Sequence, residues 1–276
     1  MANIKISIIT CTLNSGKYLE DCIKSVQNQT YKNFEHIFID GQSNDKTIDI
    51  IKKYYPNPII YTEKAKGIYC AVNKGLKIAK GEIIGFLHSD DVFYNKECLS
   101  RIADSFLSNN EIFFYCSKMI IYDSCLKTAF AILGAPPHKQ SFKEQFYSST
   151  YYAHPTYYVK KEVISKVGYY NIDYTIASDI DWLIRLENLD LKWYFDPAPL
   201  IKFRSFGRSA RKYFLALKEE FNIRRKYEGL SGGLIVIYFY HLLRRIVRYI
   251  LEVLRLNFLI NFIRKFLMNV IQKNVI

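Results

Sequence analysis

No uninterrupted apolar run in the sequence approaches the roughly 20 residues that span a bilayer as a helix. None of the six cysteines (Cys11, Cys22, Cys70, Cys98, Cys116, Cys125) sits in a C-x-x-C pair or at metal-finger spacing, which argues against zinc modules and dithiol redox motifs. Several lie inside apolar runs, where a free cysteine behaves as a small hydrophobe. No small-residue cleavage site follows the first residues, which lead straight into a strand pattern, so a signal peptide is not expected. A reducing, cytoplasmic setting follows. There is also no Gly-x-Gly-x-x-Gly and no Gly-Lys-Ser/Thr, so neither a Rossmann dinucleotide site nor a P-loop is indicated.

What is present is apolar and unevenly charged. Half of the 276 residues are hydrophobic and 16% are aromatic, enough for a sizeable core and too apolar for disorder. That length carries one large domain, or one domain with an appendage. The net charge is +13, and residues 202–276 hold 16 Lys and Arg against 4 Asp and Glu. Nearly all the excess positive charge therefore lies at the back of the chain, where it suggests an anionic partner.

The front half alternates strand and helix patterns. Residues 4–11 (IKISIITC) form a β-branched run ending in the polar turn Thr12-Leu13-Asn14-Ser15, and apolar residues at helical spacing follow over 17–29. Residues 34–39 form a second strand that ends in Asp40, after which Ser43 or Asn44 is placed to cap a helix over 45–54. A short strand over 59–62 and a helix over 69–79 precede GEIIGFLHSDDVF, residues 81–93. There a buried strand stops at His88, Ser89, Asp90 and Asp91. Burying charge without a partner is costly, so such carboxylates hold a cation, accept hydrogen bonds or face solvent. A plain acidic turn would fit this tetrapeptide equally well. The β-α-β-α-β-α-β order predicts an α/β fold with a doubly wound, mainly parallel sheet. Its strand ends would gather on one edge, where ligands bind in such sheets. Carboxylates and small polar groups there suit a nucleotide and a divalent metal on its diphosphate.

SIITCTLNSGKYLEDCIKSVQNQTYKNFEHIFIDGQSNDKTIDII resembles the start of a family 2 glycosyltransferase of the GT-A fold. GIYCAVNKGLKIAKGEIIGFLHSDDVF resembles that family's next block, through its Asp-x-Asp motif, and the likeness runs to about residue 230. The resemblance implies a donor site bordered by Thr12 and Asn14, with Asp40 on the base or ribose. Asn73 would shape the donor pocket, and Ser89 and Asp90 would complete it. Asp90 would coordinate Mn²⁺ or Mg²⁺, with Asp91 as its acidic neighbour. His88 stands at the first position of the motif, where the family has an acid; a neutral imidazole there can hydrogen bond or ligate. Cys70 replaces another acid, either as a reactive thiol or as a small filler.

Further on, a helix is expected over 95–109, a strand over 112–122 and a hairpin partner over 126–133. The resemblance places residues 135–149 over the acceptor side. YYAHPTYYV resembles a family segment that would turn His154 toward the donor phosphate or the acceptor, though a structural histidine fits too. A helix over 161–167 would end at Gly168 as its C-cap. On spacing alone, Ser178-Asp179-Ile180-Asp181 is a helix cap. The resemblance instead makes Asp179 the catalytic base, with Asp181 the second candidate and Ser178 in place of an acid. A last strand over 193–195 precedes a basic loop, from which Arg204 or Arg208 would reach the diphosphate or simply face solvent.

After a helix over 212–227 and the hinge Gly229-Leu230-Ser231-Gly232-Gly233, polar residues fall at steps of three or four, with one adjacent pair: His241, Arg244, Arg245, Arg248, Glu252 and Arg255. A second stripe runs from Asn261 to Gln272. Narrow basic stripes on broad apolar faces fit helices lying in a membrane surface; packing on the catalytic domain or on a second copy, as a homodimer, is the alternative. Nucleic acid is not expected, because the basic residues lie on apolar helices rather than in a polar groove with stacking aromatics. The expected domains are 1–230, catalytic, and 231–276, a membrane-associating tail. The resemblance implies a bacterial, metal-dependent inverting glycosyltransferase, and the basic apolar tail suggests a peripheral position on the cytoplasmic face of the membrane. It would move a sugar from a nucleotide sugar, UDP-linked foremost, to a surface glycan on a lipid carrier. Two alternatives stay open: a GT-A-like nucleotidyltransferase, and a degenerate membrane-bound scaffold suggested by His88, Cys70 and Ser178.

Overall fold

The β-branched runs pair as strands and the amphipathic segments between them return as helices. The computed structural model describes residues 3–134, 154–205 and 212–254. In its first half, β1 (Ile6–Thr12), β2 (Phe34–Asp40), β3 (Ile59–Thr62) and β4 (Ile83–Phe86) alternate with α1 (Leu19–Gln27), α2 (Thr47–Tyr54) and α3 (Ile68–Ile78). These four strands are parallel, in the order β3-β2-β1-β4. The register sets Thr12 opposite Asp40 and Ile9 opposite Phe86. Successive strands leave β1 on one side and β4 joins it on the other, so the order reverses between β1 and β4. That reversal is the topological switch point, where open α/β sheets form their ligand crevice.

The second half adds β5 (Val92–Phe93), α4 (Cys98–Ser108), β6 (Phe114–Tyr122), β7 (Ala129–Leu133), β8 (Tyr158–Lys160), α5 (Lys161–Val167), α6 (Ser178–Glu187) and β9 (Trp193–Arg204). The strand β8 runs antiparallel to both β4 and β6. Where β4 meets β8, a Cβ on Gly85 would lie 2.1 Å from the Tyr158 ring. Gly85→Ala therefore forces the buried ring or the strand aside. We expect it to lower stability by about 3 kcal/mol, read from the midpoint of urea unfolding.

The core lies between the sheet and α3, α5 and α6, from Ile9, Ile37 and Ile84 through Val72 and Leu76 to Val163, Trp182 and Leu183. A buried histidine, His36, lies on the opposite face of β2, beside Phe38 and Tyr55. Thr10 Oγ1 donates to the Leu87 carbonyl at 2.8 Å, so at 2.9 Å it accepts from His36 Nε2–H. His36 Nδ1 then accepts from the Tyr55 hydroxyl, also at 2.9 Å. Burial pushes the His36 imidazole down to about 3, so below the ordinary value near 6.5 the unfolded chain takes up a proton that the folded chain refuses. This contribution is complete above about pH 6.5 and is lost as pH falls toward 3, at about 1.4 kcal/mol per pH unit. Urea midpoints measured between pH 7 and 4.5 are expected to fall more steeply for the native chain than for His36→Gln.

Two boundaries differ from the sequence pattern. Ser43 does not cap α2, because its hydroxyl and N–H both donate to Asp40; Asp45 accepts from the N–H and hydroxyl of Thr47 instead. The strand β9 does not stop at residue 195 but continues across Pro197 and Pro199 to Arg204. Prolines remove donors but not acceptors, and Ser117 Oγ and Arg101 Nη2 bind the Ala198 and Pro199 carbonyls.

The chain divides into two compact units, Met1–Ile120 with Leu133–Phe203, and Ile121–Ile132 with Arg204–Ile276. In the second, Asp123 and Thr128 close a hairpin turn, and Arg204 Nε donates to the Ser124 carbonyl at 3.1 Å. Helices α7 (Tyr213–Glu228) and α8 (Gly232–Val253) follow, joined by Phe221 against Tyr238 at 4.7 Å between ring centroids. The hinge between them includes Gly229 at φ 75°. The residues expected over the acceptor at 135–149, Arg208, and the second polar stripe from Asn261 to Gln272 lie outside the described residues.

Candidate active site

At the switch point the ends of β1, β2 and β4 are tied together by short polar side chains. Asp40 is fully buried and accepts from Thr12 Oγ1 at 2.8 Å, from Ser43 Oγ at 2.6 Å and from the Ser43 N–H at 2.8 Å. Asn14 N–H donates to Ser43 Oγ, and Asn44 N–H donates to Asn14 Oδ1. Asn14 and Gln42 sit at φ 52° and 63°, left-handed conformations that non-glycine residues rarely adopt outside tight turns and functional loops. Across the crevice Ser15 Oγ meets Ser89 Oγ at 2.9 Å. These bonds make one rim of Thr12, Asn14, Asp40, Ser43 and Ser89, with Asp40 as its buried tie.

Beyond that rim the β4 strand ends in the acidic turn. His88, Asp90 and Asp91 each bring one ligand atom within 4.8 Å of the others. Two carboxylates and an imidazole are donors of the kind that divalent ions take. Asp91 is buried, with Oδ2 at 3.4 Å from His88 Nδ1, whereas the His88 side chain is 40% exposed. His88 Nε2 lies 3.3 Å from His154 Nδ1. His154 stacks on Phe86, with centroids 4.6 Å apart, and its Nε2 lies 3.2 Å from the Tyr170 hydroxyl. Burial lowers the pKa of His88, an effect that the Asp90 charge only partly counters. Burial and then the His88 charge lower that of His154 well below the ordinary value.

An aromatic column joins this cluster to the start of α6. Tyr170 stacks on Tyr69 at 5.7 Å and on Trp182 at 5.3 Å, and Trp182 Nε1–H donates to the Gly168 carbonyl. Asn73 holds Tyr170 by its backbone: Nδ2 donates to the Tyr170 carbonyl at 2.8 Å, and the Tyr170 N–H donates to Oδ1 at 2.9 Å. The Tyr69 hydroxyl donates to the Ile176 carbonyl and lies 3.2 Å from Asp179 Oδ1. Contacts thus run unbroken from Asp91 through His88, His154, Tyr170 and Tyr69 to Asp179.

The two acids of α6 part company. Asp179 is half-buried beside the Tyr69 hydroxyl. Asp181 is 2% exposed and takes the Arg185 guanidinium at 3.0 Å, which also binds the Val167 and Tyr169 carbonyls. Cys70 is partly buried, with Sγ 3.5 Å from the Lys66 carbonyl, and Ser178 is fully buried. Arg204 belongs to the second unit and is bound to Ser124 there.

The helical spacing after Asp179 predicts a buried Trp182, which is 1% exposed, but sequence reasoning did not single out Tyr69 or Tyr170. Their only signal was aromatic richness around 69, 151–158 and 169–170, which is what a core also shows.

The family model described as "Glycosyl transferase family 2" matches residues 7–168. The PGL/p-HBAD biosynthesis glycosyltransferase of Mycobacterium bovis (strain BCG / Pasteur 1173P2) is 31% identical over 191 residues, 67% of this chain and 70% of that protein. The uncharacterized glycosyltransferase MJ1057 of Methanocaldococcus jannaschii is 28% identical over 224 residues, 78% of this chain and 75% of its own. Among solved structures, S. aureus TarS 1-349 in complex with UDP-GlcNAc aligns with a TM-score of 0.63 at 21% identity, over 80% of this chain and 65% of that one. The mannosyltransferase PcManGT from Pyrobaculum calidifontis, in complex with GDP-Man and Mn²⁺, aligns with a TM-score of 0.62 at 14% identity, over 87% of this chain and 69% of its own. The two solved structures share the fold, which is α/β of the GT-A type.

Proposed function

The chain belongs to glycosyl transferase family 2, and on that footing we propose that it moves a sugar from a nucleotide-diphosphate sugar to a hydroxyl of a lipid-linked or surface glycan, with inversion. The observation that carries the reading is the unbroken path of side chains from the His88-Asp90-Asp91 cluster to Asp179. It supports two acidic stations, far apart in sequence, serving one reaction. UDP-linked donors are the first to test; the UDP-GlcNAc complex of TarS and the GDP-Man complex of PcManGT make both nucleotides reasonable probes.

In this reading the rim of Thr12, Asn14 and Ser89 borders the nucleotide. Asp40 acts mainly through Thr12 and Ser43, since its own oxygens are buried inside the rim. Asp90 and Asp91, with His88, would hold Mn²⁺ or Mg²⁺, and the ion would supply charge neutralisation for the departing diphosphate. Asp179 takes the proton from the acceptor hydroxyl as its oxygen bonds to the anomeric carbon, while the bond to the diphosphate oxygen breaks on the opposite face. One carboxylate suffices and no covalent enzyme intermediate forms. Asn73 and Tyr69 are positioning residues, the first through Tyr170 and the second through its hydroxyl beside Asp179. Incubation with UDP- and GDP-sugars plus Mn²⁺ is expected to consume one donor and release its nucleoside diphosphate. Release of pyrophosphate from a nucleoside triphosphate instead would favour the nucleotidyltransferase reading.

Residues 231–276 form the membrane-associating part of this proposal. Among the described residues no helix is long and apolar enough to cross a membrane. Helix α8 exposes Val236, Phe239 and Leu243, each at least 60% accessible, and Val247, Ile250 and Leu254 extend the same stripe. A basic sequence around such a face suits an anionic lipid surface, where each Lys or Arg adds about 1 kcal/mol. The full chain is expected to co-sediment with anionic vesicles and in the membrane fraction. A chain lacking 234–276 is expected in the supernatant, and its retention on membranes would contradict the assignment.

A further inference from the structure

The place of an acid in the metal-binding turn is taken by His88, and the residues behind it account for the change. We propose that His88 ligates the cation through Nδ1, making a mixed nitrogen and oxygen site that favours Mn²⁺ and similar borderline cations over Mg²⁺. The inference rests on the glycosyl-transfer reading for a cation being bound there at all.

Three distances lie in series behind the turn. His88 Nδ1 faces Asp91 Oδ2 at 3.4 Å, His88 Nε2 faces His154 Nδ1 at 3.3 Å, and His154 Nε2 faces the Tyr170 hydroxyl at 3.2 Å. A neutral imidazole has one N–H donor and one acceptor nitrogen. When His154 donates from Nε2 to Tyr170, its Nδ1 accepts from His88 Nε2–H. The lone pair of His88 then lies on Nδ1, on the side of Asp90 and Asp91. This is the arrangement of a metal-bound histidine whose second nitrogen is fixed by an outer hydrogen bond. Read in the opposite direction, the same series puts a proton on Nδ1, facing Asp91 Oδ2 at 3.4 Å, and the cation takes the place of that proton.

The outer partner is itself held. His154 is stacked on Phe86, and Tyr170 is clamped by Asn73 and stacked between Tyr69 and Trp182. A histidine directed by so fixed a series is a built ligand rather than a loose replacement for an acid. Its consequence is chemical. Mg²⁺ favours oxygen ligands and gives up its waters reluctantly, whereas imidazole suits first-row transition ions.

The test uses the full chain and Mn²⁺ itself, titrated by electron paramagnetic resonance, alone and with UDP or GDP present. Spin-echo modulation reports whether a nitrogen touches the bound ion, and added Mg²⁺ competes for the site. The expected result is bound Mn²⁺ with nitrogen modulation. His88→Asp is expected to abolish that modulation and to lower the Mg²⁺ needed to displace half the Mn²⁺ by about tenfold. His154→Gln, with its fold verified by circular dichroism, is expected to weaken Mn²⁺ binding by about 10–100-fold. Bound Mn²⁺ without nitrogen modulation, no bound Mn²⁺, or competition unchanged in His88→Asp would each overturn the proposal. Donor consumption separates the two levels: if it persists and depends on Asp90, only the ligand assignment has failed. If no donor is consumed although Mn²⁺ binds with nitrogen modulation, the glycosyl-transfer reading has failed instead.

Discussion

Asp179→Asn is expected to lower kcat by about 10²–10⁴-fold, the range ascribed to a positioned general base, with little change in KM for the donor. Asparagine has nearly the same shape and still accepts from its neighbours, but it cannot take a proton from the acceptor. The contrast with Asp181 makes the prediction sharp. The two acids are two residues apart on the first turn of α6, yet Asp181 is buried against Arg185. Breaking a buried ion pair costs about 3–5 kcal/mol, so Asp181→Asn is expected to lower stability while the folded fraction retains turnover. Measuring kcat and the urea midpoint for both variants separates base from brace. Equal effects on both quantities in both variants would contradict the division.

The second large effect is expected at Asp90. Stabilising charge on a leaving diphosphate is worth several kcal/mol, and each 1.4 kcal/mol is about tenfold in rate. Asp90→Ala is therefore expected to lower kcat/KM by about 10³-fold or more, without full recovery at high Mn²⁺. The partly exposed position of Asp90 makes the loss one of activity rather than fold. An Asp90→Ala enzyme of near-native activity would remove the acidic turn from the chemistry.

Much of the parallel half was legible in the sequence because its signals are local. A β-branched run followed by helical spacing predicts each βα unit, and short connections leave few ways to join them. Gly168 was readable as the C-cap of α5, and it sits at φ 82°. The antiparallel half was less legible. Its partners are distant, as with Gly85 of β4 against Tyr158 of β8, and no periodicity encodes that pairing. At β9 the prolines suggested a stop, but side chains from elsewhere bind the carbonyls and let the strand continue.

At the candidate site, residue types were readable and their roles were not. Asp40 was visible as an acid at a strand end, but its burial comes from Thr12 and Ser43 closing over it. The acids Asp179 and Asp181 look equivalent in sequence, and only Arg185, one turn on and docked to the Val167 and Tyr169 carbonyls, separates them. His88 looked like a gap in an acidic motif. What stands behind it, His154 and then Tyr170, is 66 and 82 residues away along the chain, beyond any local pattern.

The most direct measurement is nucleoside diphosphate release from a panel of UDP- and GDP-sugars, with and without Mn²⁺, by the native chain and by Asp90→Ala and Asp179→Asn side by side. The account predicts that the native chain turns over at least one donor in a metal-dependent way and that each variant loses at least 99% of that rate in the presence of acceptor. Turnover that survives in both variants would contradict it.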